Sequence, residues 1–244
     1  MTTFFTPASF ARMGVYRSCL AIRSEMKCRL ILLSWMPSGS ISRRLQTNST
    51  RAVLKTTHVP PPADSGSYTR ETYYGDTAFS DYPVIWVTQD QAVEYCSWVG
   101  RLPSETEWEY AARGPESSIF PWGDIFEPSR ANYCDASCAL GVIDPSYQDG
   151  YPETAPVGSF PAGASWCGAL DMAGNVREWM ADWYGGYSLE AQVNPLGPDE
   201  GDSHIPKGGC WLDRPDNLRA ANRGANTPDY VRYKAGFRCV MDLD

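Results

Sequence analysis

The 244-residue chain is poor in histidine, in closely spaced cysteine pairs and in long apolar runs, and each shortage excludes a class of protein. Its two histidines, His58 and His204, are too few for a zinc or iron site built on several histidines. None of the eight cysteines forms a C-x-x-C pair, which excludes the common zinc-ribbon and thioredoxin spacings. No run of about 20 apolar residues occurs, so no membrane-spanning helix is expected.

Basic residues are also in the minority, and they are unevenly placed. The net charge is -8, which argues against a nucleic-acid partner because no basic face would neutralise phosphates. Residues 1–57 contain nine of the 21 Lys and Arg but a single acidic residue, Glu25. The hydrophobic fraction of 43% suffices for a core, so a folded chain is expected beyond this segment.

Turn formers and aromatic residues are abundant, with 21 Gly, 19 Pro, 14 Tyr and 9 Trp. This composition predicts an irregular, coil-rich α+β domain made of many short elements. Two helices are indicated by capping boxes, the first from Thr88 to Gly100 and the second from Ser104 to Gly114. Buried strands are predicted at residues 84–87, 174–184, 208–211 and 235–241.

Seven segments then match one family in order. They are RLPSETEWEYAARG (101–114), PWG (121–123), TAPVG (154–158), DMAGNVREW (171–179), KGG (207–209), NTPD (226–229) and GFRC (236–239). Together they resemble the formylglycine-generating enzymes, or sulfatase-modifying factors, over residues 64–244. The resemblance implies a single irregular α+β domain related to C-type lectins.

Active members of that family oxidise a sulfatase cysteine to formylglycine with copper and oxygen, and they hold Cu(I) between two cysteines. Counting from the Gly-Gly pair, the two positions are Asp213 and Leu218; counting back from NTPD, they are Cys210 and Pro215. At most one thiolate remains, so copper is not expected. Cys210 is either a lone reactive thiol or a small buried residue of the core.

The resemblance also implies two calcium sites with oxygen ligands. One maps onto Asn132, Tyr133, Asp149 and Tyr151, where the tyrosines offer carbonyls. The other maps onto Asp171, Gly174, Val176 and Glu178, with carboxylates from the first and last and carbonyls from the middle two. The alternative is a pattern of surface acids with no ion.

Disulfides are expected at two places. The resemblance pairs Cys96 with Cys239, while Ala112 and Ala220 occupy the places of a second family disulfide. Cys134 and Cys138, four residues apart, suit a local disulfide in an oxidising compartment, or else remain thiols in a cytosolic protein. The cysteine pattern favours an exported protein, although no intact signal peptide is seen.

The first 63 residues are set apart as an anomalous start of the same domain. In a frame shifted to the third codon letter, residues 31–47 permit a stretch similar to the family's opening, and residues 58–61 permit Cys-Thr-Pro-Pro. We therefore interpret this segment as a frameshifted reading, with a divergent extension as the alternative. A gene sequence without compensating one-base shifts across codons 14–65 would contradict the frameshift.

These patterns favour a calcium-stabilised binding or accessory domain that lacks copper oxidase activity, with a protein or peptide ligand as the expected partner. The alternative is a formylglycine-generating oxidase. A third class, the iron-dependent relatives, depends on histidines from an added helical domain, which this chain lacks. The missing cysteine pair is the feature that separates the first two classes.

Overall fold

The computed structural model describes residues 30–32, 59–98 and 100–241. Within these ranges lie two α-helices and five short strands, joined by long coil segments. In chain order they are β1 (Leu30–Leu32), α1 (Gln89–Cys96), α2 (Glu105–Arg113), β2 (Arg177–Trp183), β3 (His204–Lys207), β4 (Ala235–Gly236) and β5 (Cys239–Met241). The expected α+β class with much coil is confirmed. In the part of the chain described, no helix is long and apolar enough to cross a membrane.

Both helices begin as their capping boxes predict. Thr88 accepts from the Gln91 backbone while the Gln91 side chain accepts from Thr88, and Ser104 and Glu107 are related in the same way. These reciprocal bonds satisfy backbone donors that a helix start would otherwise leave open. Helix α2 ends at Arg113 with Gly114 as its C-cap, as expected, whereas α1 ends at Cys96, four residues before the predicted stop.

Two small sheets organise the strands. In the first, β2 lies between β3, to which it is antiparallel, and β4, to which it is parallel. In the second, β1 pairs antiparallel with β5, and Leu32 lies opposite Cys239. Strand β2 falls within the predicted 174–184 segment, and the predicted 235–241 strand is divided into β4 and β5.

Two predicted strands are wrong. Val84, Ile85 and Val87 are buried and Trp86 is half-buried, but the segment is not paired in a sheet. Trp86 has a φ of 61°, which interrupts an extended ladder. Residues 208–211 are not a strand either, since β3 ends at Lys207. The chain turns at Gly208, whose φ is 90° and whose position leaves only 3.2 Å between an added Cβ and the Trp108 ring.

Strand β2 is buried on both faces, so the core has two main parts. Trp179 faces a cluster that includes Ala92 of α1 and Phe237. The next residue, Met180, faces the opposite cluster, which includes Trp108 of α2. Alternation along the strand thus lets β2 pack against both helices.

A buried ion pair connects these parts. Glu178 of β2 accepts hydrogen bonds from Arg238 Nε at 2.5 Å and Nη2 at 2.6 Å. It also accepts one from the Trp108 indole at 2.6 Å, while Arg238 donates further to the Leu170 carbonyl at 3.1 Å. A buried guanidinium and carboxylate satisfy each other's charge and fix β2, α2 and the β4–β5 connection in one arrangement.

Both expected disulfides are confirmed. Cys96 at the end of α1 is bonded to Cys239 of β5, across 143 residues of sequence. Cys134 is bonded to Cys138, four residues away. The two bonds therefore close loops of very different length.

We expect the two disulfides to differ in their effect on stability. In the chain-entropy account, closing the long loop contributes about 5 kcal/mol to the free energy of unfolding and closing the short loop about 2 kcal/mol. The matched pairs Cys96→Ala with Cys239→Ala, and Cys134→Ala with Cys138→Ala, are to be compared by urea denaturation. All four cysteines are buried, so the packing lost by truncation to alanine is similar in the two double variants. Equal losses would contradict the loop-length explanation.

Candidate functional site

The segment after β3 forms the candidate site around Cys210. Gly209, with a φ of 72°, turns the chain so tightly that an added Cβ would lie 2.9 Å from the Asn217 carbonyl. The Asp213 backbone N–H then donates to the Cys210 carbonyl at 2.9 Å. These contacts fold residues 210–217 back on themselves and bring the Asp213 side chain to Cys210.

The Asp213 carboxylate is the centre of this site. It accepts from the Cys210 backbone N–H at 3.0 Å and from the Cys210 thiol at 3.2 Å. Arg177 of β2 binds it from the other side through Nε at 3.1 Å and Nη2 at 2.8 Å. The carboxylate is therefore neutralised by a guanidinium and has its oxygens occupied by fixed donors.

The other positions considered for copper offer no donor. Pro215 begins the short 3-10 helix Pro215–Leu218, and Leu218 at its end is fully buried in a cluster with Phe120 and Tyr133. Cys167 lies elsewhere, with its sulfur 3.4 Å from the Ala111 carbonyl. Among the described residues no group of three or more His, Cys, Asp or Glu is arranged to hold a metal ion.

The thiol of Cys210 is held in its protonated form. Its side chain is fully buried, and burial raises its pKa to about 12, with the negative charge of Asp213 acting in the same direction. Nearby sulfur atoms are already bonded to each other. Cys134, whose backbone N–H donates to the Asp213 carbonyl at 3.1 Å, is in the disulfide with Cys138.

An aromatic cluster lies beside this site. The Trp211 ring is 6.4 Å from that of Tyr68 and 6.0 Å from that of Tyr233. Tyr68 is 45% exposed, whereas Trp211 is buried and its indole N–H has no hydrogen-bond partner. This arrangement places one accessible ring, that of Tyr68, at the edge of a cluster whose centre is the buried Trp211 ring.

The first predicted calcium set contains two oxygens without a partner. Asn132 Oδ1 and Asp149 Oδ2 are both buried and accept no hydrogen bond. Their segments run side by side, because Asn132 Nδ2 donates to the Glu153 carbonyl at 2.8 Å and the Asp149 N–H donates to Asp135. Burial, together with the charge of Asp135, raises the pKa of Asp149 to about 6. Hard oxygen donors in such surroundings fit a calcium ion.

In that set, a backbone carbonyl already accepts a hydrogen bond, unlike the two side-chain oxygens. The Tyr133 carbonyl accepts from the Asp135 N–H at 2.9 Å, which leaves one lone pair for another donor or an ion. Tyr151 is half-buried and follows Asp149 by two residues, with its N–H donating to Asp149 Oδ1 at 2.7 Å. The turn therefore brings both members of the second ligand pair together.

In the second predicted calcium set, a carboxylate is already paired with an arginine. Both oxygens of Glu178 are bound by Arg238, so its charge is already neutralised. Asp171 accepts from the Gly158 N–H at 2.8 Å, and burial raises its pKa to about 6. As arranged, this set fits a cation less well than the first, because a guanidinium occupies the Glu178 carboxylate.

The two sets are adjacent through Gly174. Its φ is 79°, and an added Cβ would lie 2.1 Å from the Asn132 carbonyl, so only glycine permits this approach. The neighbouring Asn175 N–H donates to that same carbonyl at 2.8 Å. Val176 follows, buried, in the segment that leads into β2.

Sequence reasoning missed the two arginines that determine the charge of these sites. Arg177 lies in the motif 171–179 and Arg238 in the motif 236–239, yet the sequence predicts no role for either. The signal available was the presence of acidic residues in otherwise apolar segments, since buried carboxylates require a partner. Which arginine pairs with which carboxylate depends on long-range packing, as the 36 residues between Arg177 and Asp213 illustrate.

Comparison with known proteins identifies relatives. The chain is 38% identical to the mouse (Mus musculus) formylglycine-generating enzyme over 169 residues, which cover 67% of this chain and 45% of that protein. It is 35% identical to the mouse inactive C-alpha-formylglycine-generating enzyme 2 over 186 residues, 73% of this chain and 53% of that one. The chain thus spans about half the length of these curated relatives.

A solved structure agrees with this assignment. The structure of PvdO from Pseudomonas aeruginosa superimposes with a TM-score of 0.61 at 26% identity, covering 79% of this chain and 76% of that one. The sequence model of the sulfatase-modifying factor enzyme 1-like domain matches residues 41–243, which is most of the chain. The chain therefore belongs to the family of formylglycine-generating enzymes and sulfatase-modifying factors.

Proposed function

We propose that this chain is a binding or accessory domain of its family, stabilised by calcium and without copper oxidase activity. The observation that carries the proposal is the Asp213 carboxylate, which is bound by Arg177 and by Cys210 at a position where the resemblance calls for a thiolate. Carboxylates are hard ligands and poor donors to Cu(I). The residues present do not fit the copper site.

The remaining thiol supports this conclusion. Cu(I) is bound by thiolates, and a buried thiol whose pKa is raised to about 12 is protonated at neutral pH. Neither Leu218 nor Pro215 supplies a second donor opposite it. A relative of similar identity is itself named as inactive, so the fold exists in the family without the oxidase activity.

A ligand-binding role is supported by the aromatic cluster. Tyr68, which is 45% exposed, and the half-buried Tyr233 provide ring surface over the buried Trp211, and exposed aromatic rings are common in peptide recognition. The two disulfides are those of a protein that folds in an oxidising compartment, which favours export.

The first expected result concerns the reactivity of Cys210. Burial and the Asp213 charge keep the thiol protonated, so native protein and the Cys210→Ser variant should show the same iodoacetamide labelling between pH 7 and 9. In denaturant, the unmutated chain should be labelled at Cys210, whereas the Cys210→Ser variant has no thiol at that position to label. Peptide mass spectrometry measures both. Rapid native labelling of Cys210 near neutral pH would contradict a structural role.

The second expected result concerns the oxidase reaction. Purified protein supplied with copper and oxygen should leave a sulfatase-type cysteine peptide unmodified, because Cys210 alone among the candidate copper positions carries a soft donor. Peptide mass and the copper content of the protein are to be measured, with Cys210→Ser as the matched control. Conversion of the peptide by the native chain but not by the control would establish the alternative, a formylglycine-generating oxidase.

Calcium is proposed at the first ligand set. Support comes from Asn132 Oδ1 and Asp149 Oδ2, two buried oxygens that lack a partner in a fold where nearly every other buried polar atom has one. A bound calcium ion would satisfy both and hold Asp149 ionised. The second set remains a prediction, since Arg238 already satisfies Glu178.

The third expected result follows from mass action. Calcium at about a hundredfold its dissociation constant stabilises the folded state by about 2.7 kcal/mol, so a chelator should lower the melting temperature. Asp149→Ala should abolish this calcium dependence. Asp171→Ala, the matched variant in the second set, should leave it largely intact. Melting curves that do not respond to the chelator would refute calcium binding. If the response were lost in Asp171→Ala and kept in Asp149→Ala, the calcium ion would be assigned to the second ligand set instead.

A further inference from the structure

A cavity of about 380 Å³ lies at the C-terminal end of α2, with no part in the sites above. It is formed where two of the sequence motifs, 101–114 and 121–123, meet the segment 164–166. It is open to solvent, and its volume lies at the lower end of the range of small-molecule sites. The lining side chains that matter here are Arg113, Glu116, Ser118, Trp122, Arg130 and Trp166.

Two indole rings in the lining are fixed in place. The Trp166 N–H donates to the Tyr110 carbonyl at 2.7 Å, and the Trp122 N–H donates to the Ile125 carbonyl at 3.0 Å. Phe120 stacks on Trp122 with ring centroids 5.5 Å apart and planes 8° apart. Because their N–H groups are engaged, these rings can offer a ligand only flat apolar surface, and they lose little freedom on binding.

Two guanidinium groups are held rigidly in the same lining. Arg113 donates to Glu109 at 2.7 Å and to the carbonyls of Ser117 and Ser118. Arg130 donates to Glu127 at 2.7 Å and to the Ala162 carbonyl at 2.8 Å. A guanidinium carries five N–H groups, so both retain donors, and Arg130 Nη2 has no acceptor among the described residues.

The charge of the cavity is not that of an anion site. Each arginine is paired with a glutamate, Arg113 with Glu109 and Arg130 with Glu127. Glu116, which is exposed, forms no ion pair within the described part of the chain, and so adds an acceptor and a net negative charge. An anionic ligand would meet this charge without an unpaired cation to balance it.

We propose that this cavity binds a neutral carbohydrate, with a pyranose ring stacked on an indole and its hydroxyl groups bonded to the arginines and Glu116. A pyranose has an apolar C–H face and a rim of hydroxyls that both donate and accept. That pattern matches flat rings, spare guanidinium donors and one carboxylate acceptor. The proposal does not depend on whether the Cys210 site is catalytic.

The test uses the full chain and a panel of methyl glycosides of glucose, galactose, mannose and N-acetylglucosamine, with N-acetyl-aspartate as the anionic probe. Saturation-transfer-difference NMR and tryptophan fluorescence titration should detect at least one glycoside at millimolar concentration and not the anion. Trp166→Ala should weaken binding about tenfold or more, corresponding to the loss of one stacking contact. Trp166→Phe should retain most of the affinity.

Two further variants make the result decisive. Trp98→Ala, which removes a half-buried tryptophan outside the cavity, should leave the affinity unchanged. Glu116→Gln keeps an acceptor and should change the affinity for the glycoside less than about threefold. A large gain in the affinity of this variant for N-acetyl-aspartate would identify an anionic ligand and overturn the proposal. If Trp166→Ala fails to fold, Arg130→Ala is measured in its place. Absence of binding to every glycoside, or equal loss in Trp98→Ala, would also overturn it.

Discussion

The Arg238–Glu178 ion pair is the interaction on which most of this structure depends. Both residues are buried, and the pair connects β2 to the Trp108 indole of α2 and to the Leu170 carbonyl. Removing either partner would leave a charge buried without compensation, which costs several kcal/mol in comparable cases. The described part of the chain has only short strands and no long hydrogen-bonded ladder, so fixed side-chain bonds of this kind determine how its coil segments pack.

The features that sequence predicted well are those determined locally. Both helix starts follow from capping boxes that span three residues, and the Cys134–Cys138 bond follows from a short spacing. Strands were predicted less well, because burial alone does not produce pairing. Residues 84–87 show this, since the positive φ of Trp86 is imposed by its packing beside Tyr233 and by an indole bond to the Gly66 carbonyl.

The candidate site was predictable in composition but not in geometry. The sequence places Asp213 with Leu218, or Cys210 with Pro215, where the family has two thiolates, and the structure shows how the Asp213 carboxylate is held. A carboxylate placed near a buried thiol would be unfavourable alone; Arg177, from a different element, offsets its charge. The same reasoning applies to Glu178, where the partner Arg238 lies 60 residues away, and sequence spacing gives no indication of it.

The Cys96–Cys239 disulfide has a mechanical consequence. It joins α1 to β5, so the chain from residue 97 to residue 238 forms a covalently closed loop. Tension applied to the two flanking segments would pass from one sulfur to the other and bypass everything between them. The Cys210 turn, the residues proposed as calcium ligands and the cavity beside α2 all lie inside that loop. They would carry no load while the bond is intact, and under tension the domain could extend only by the segments outside residues 96–239.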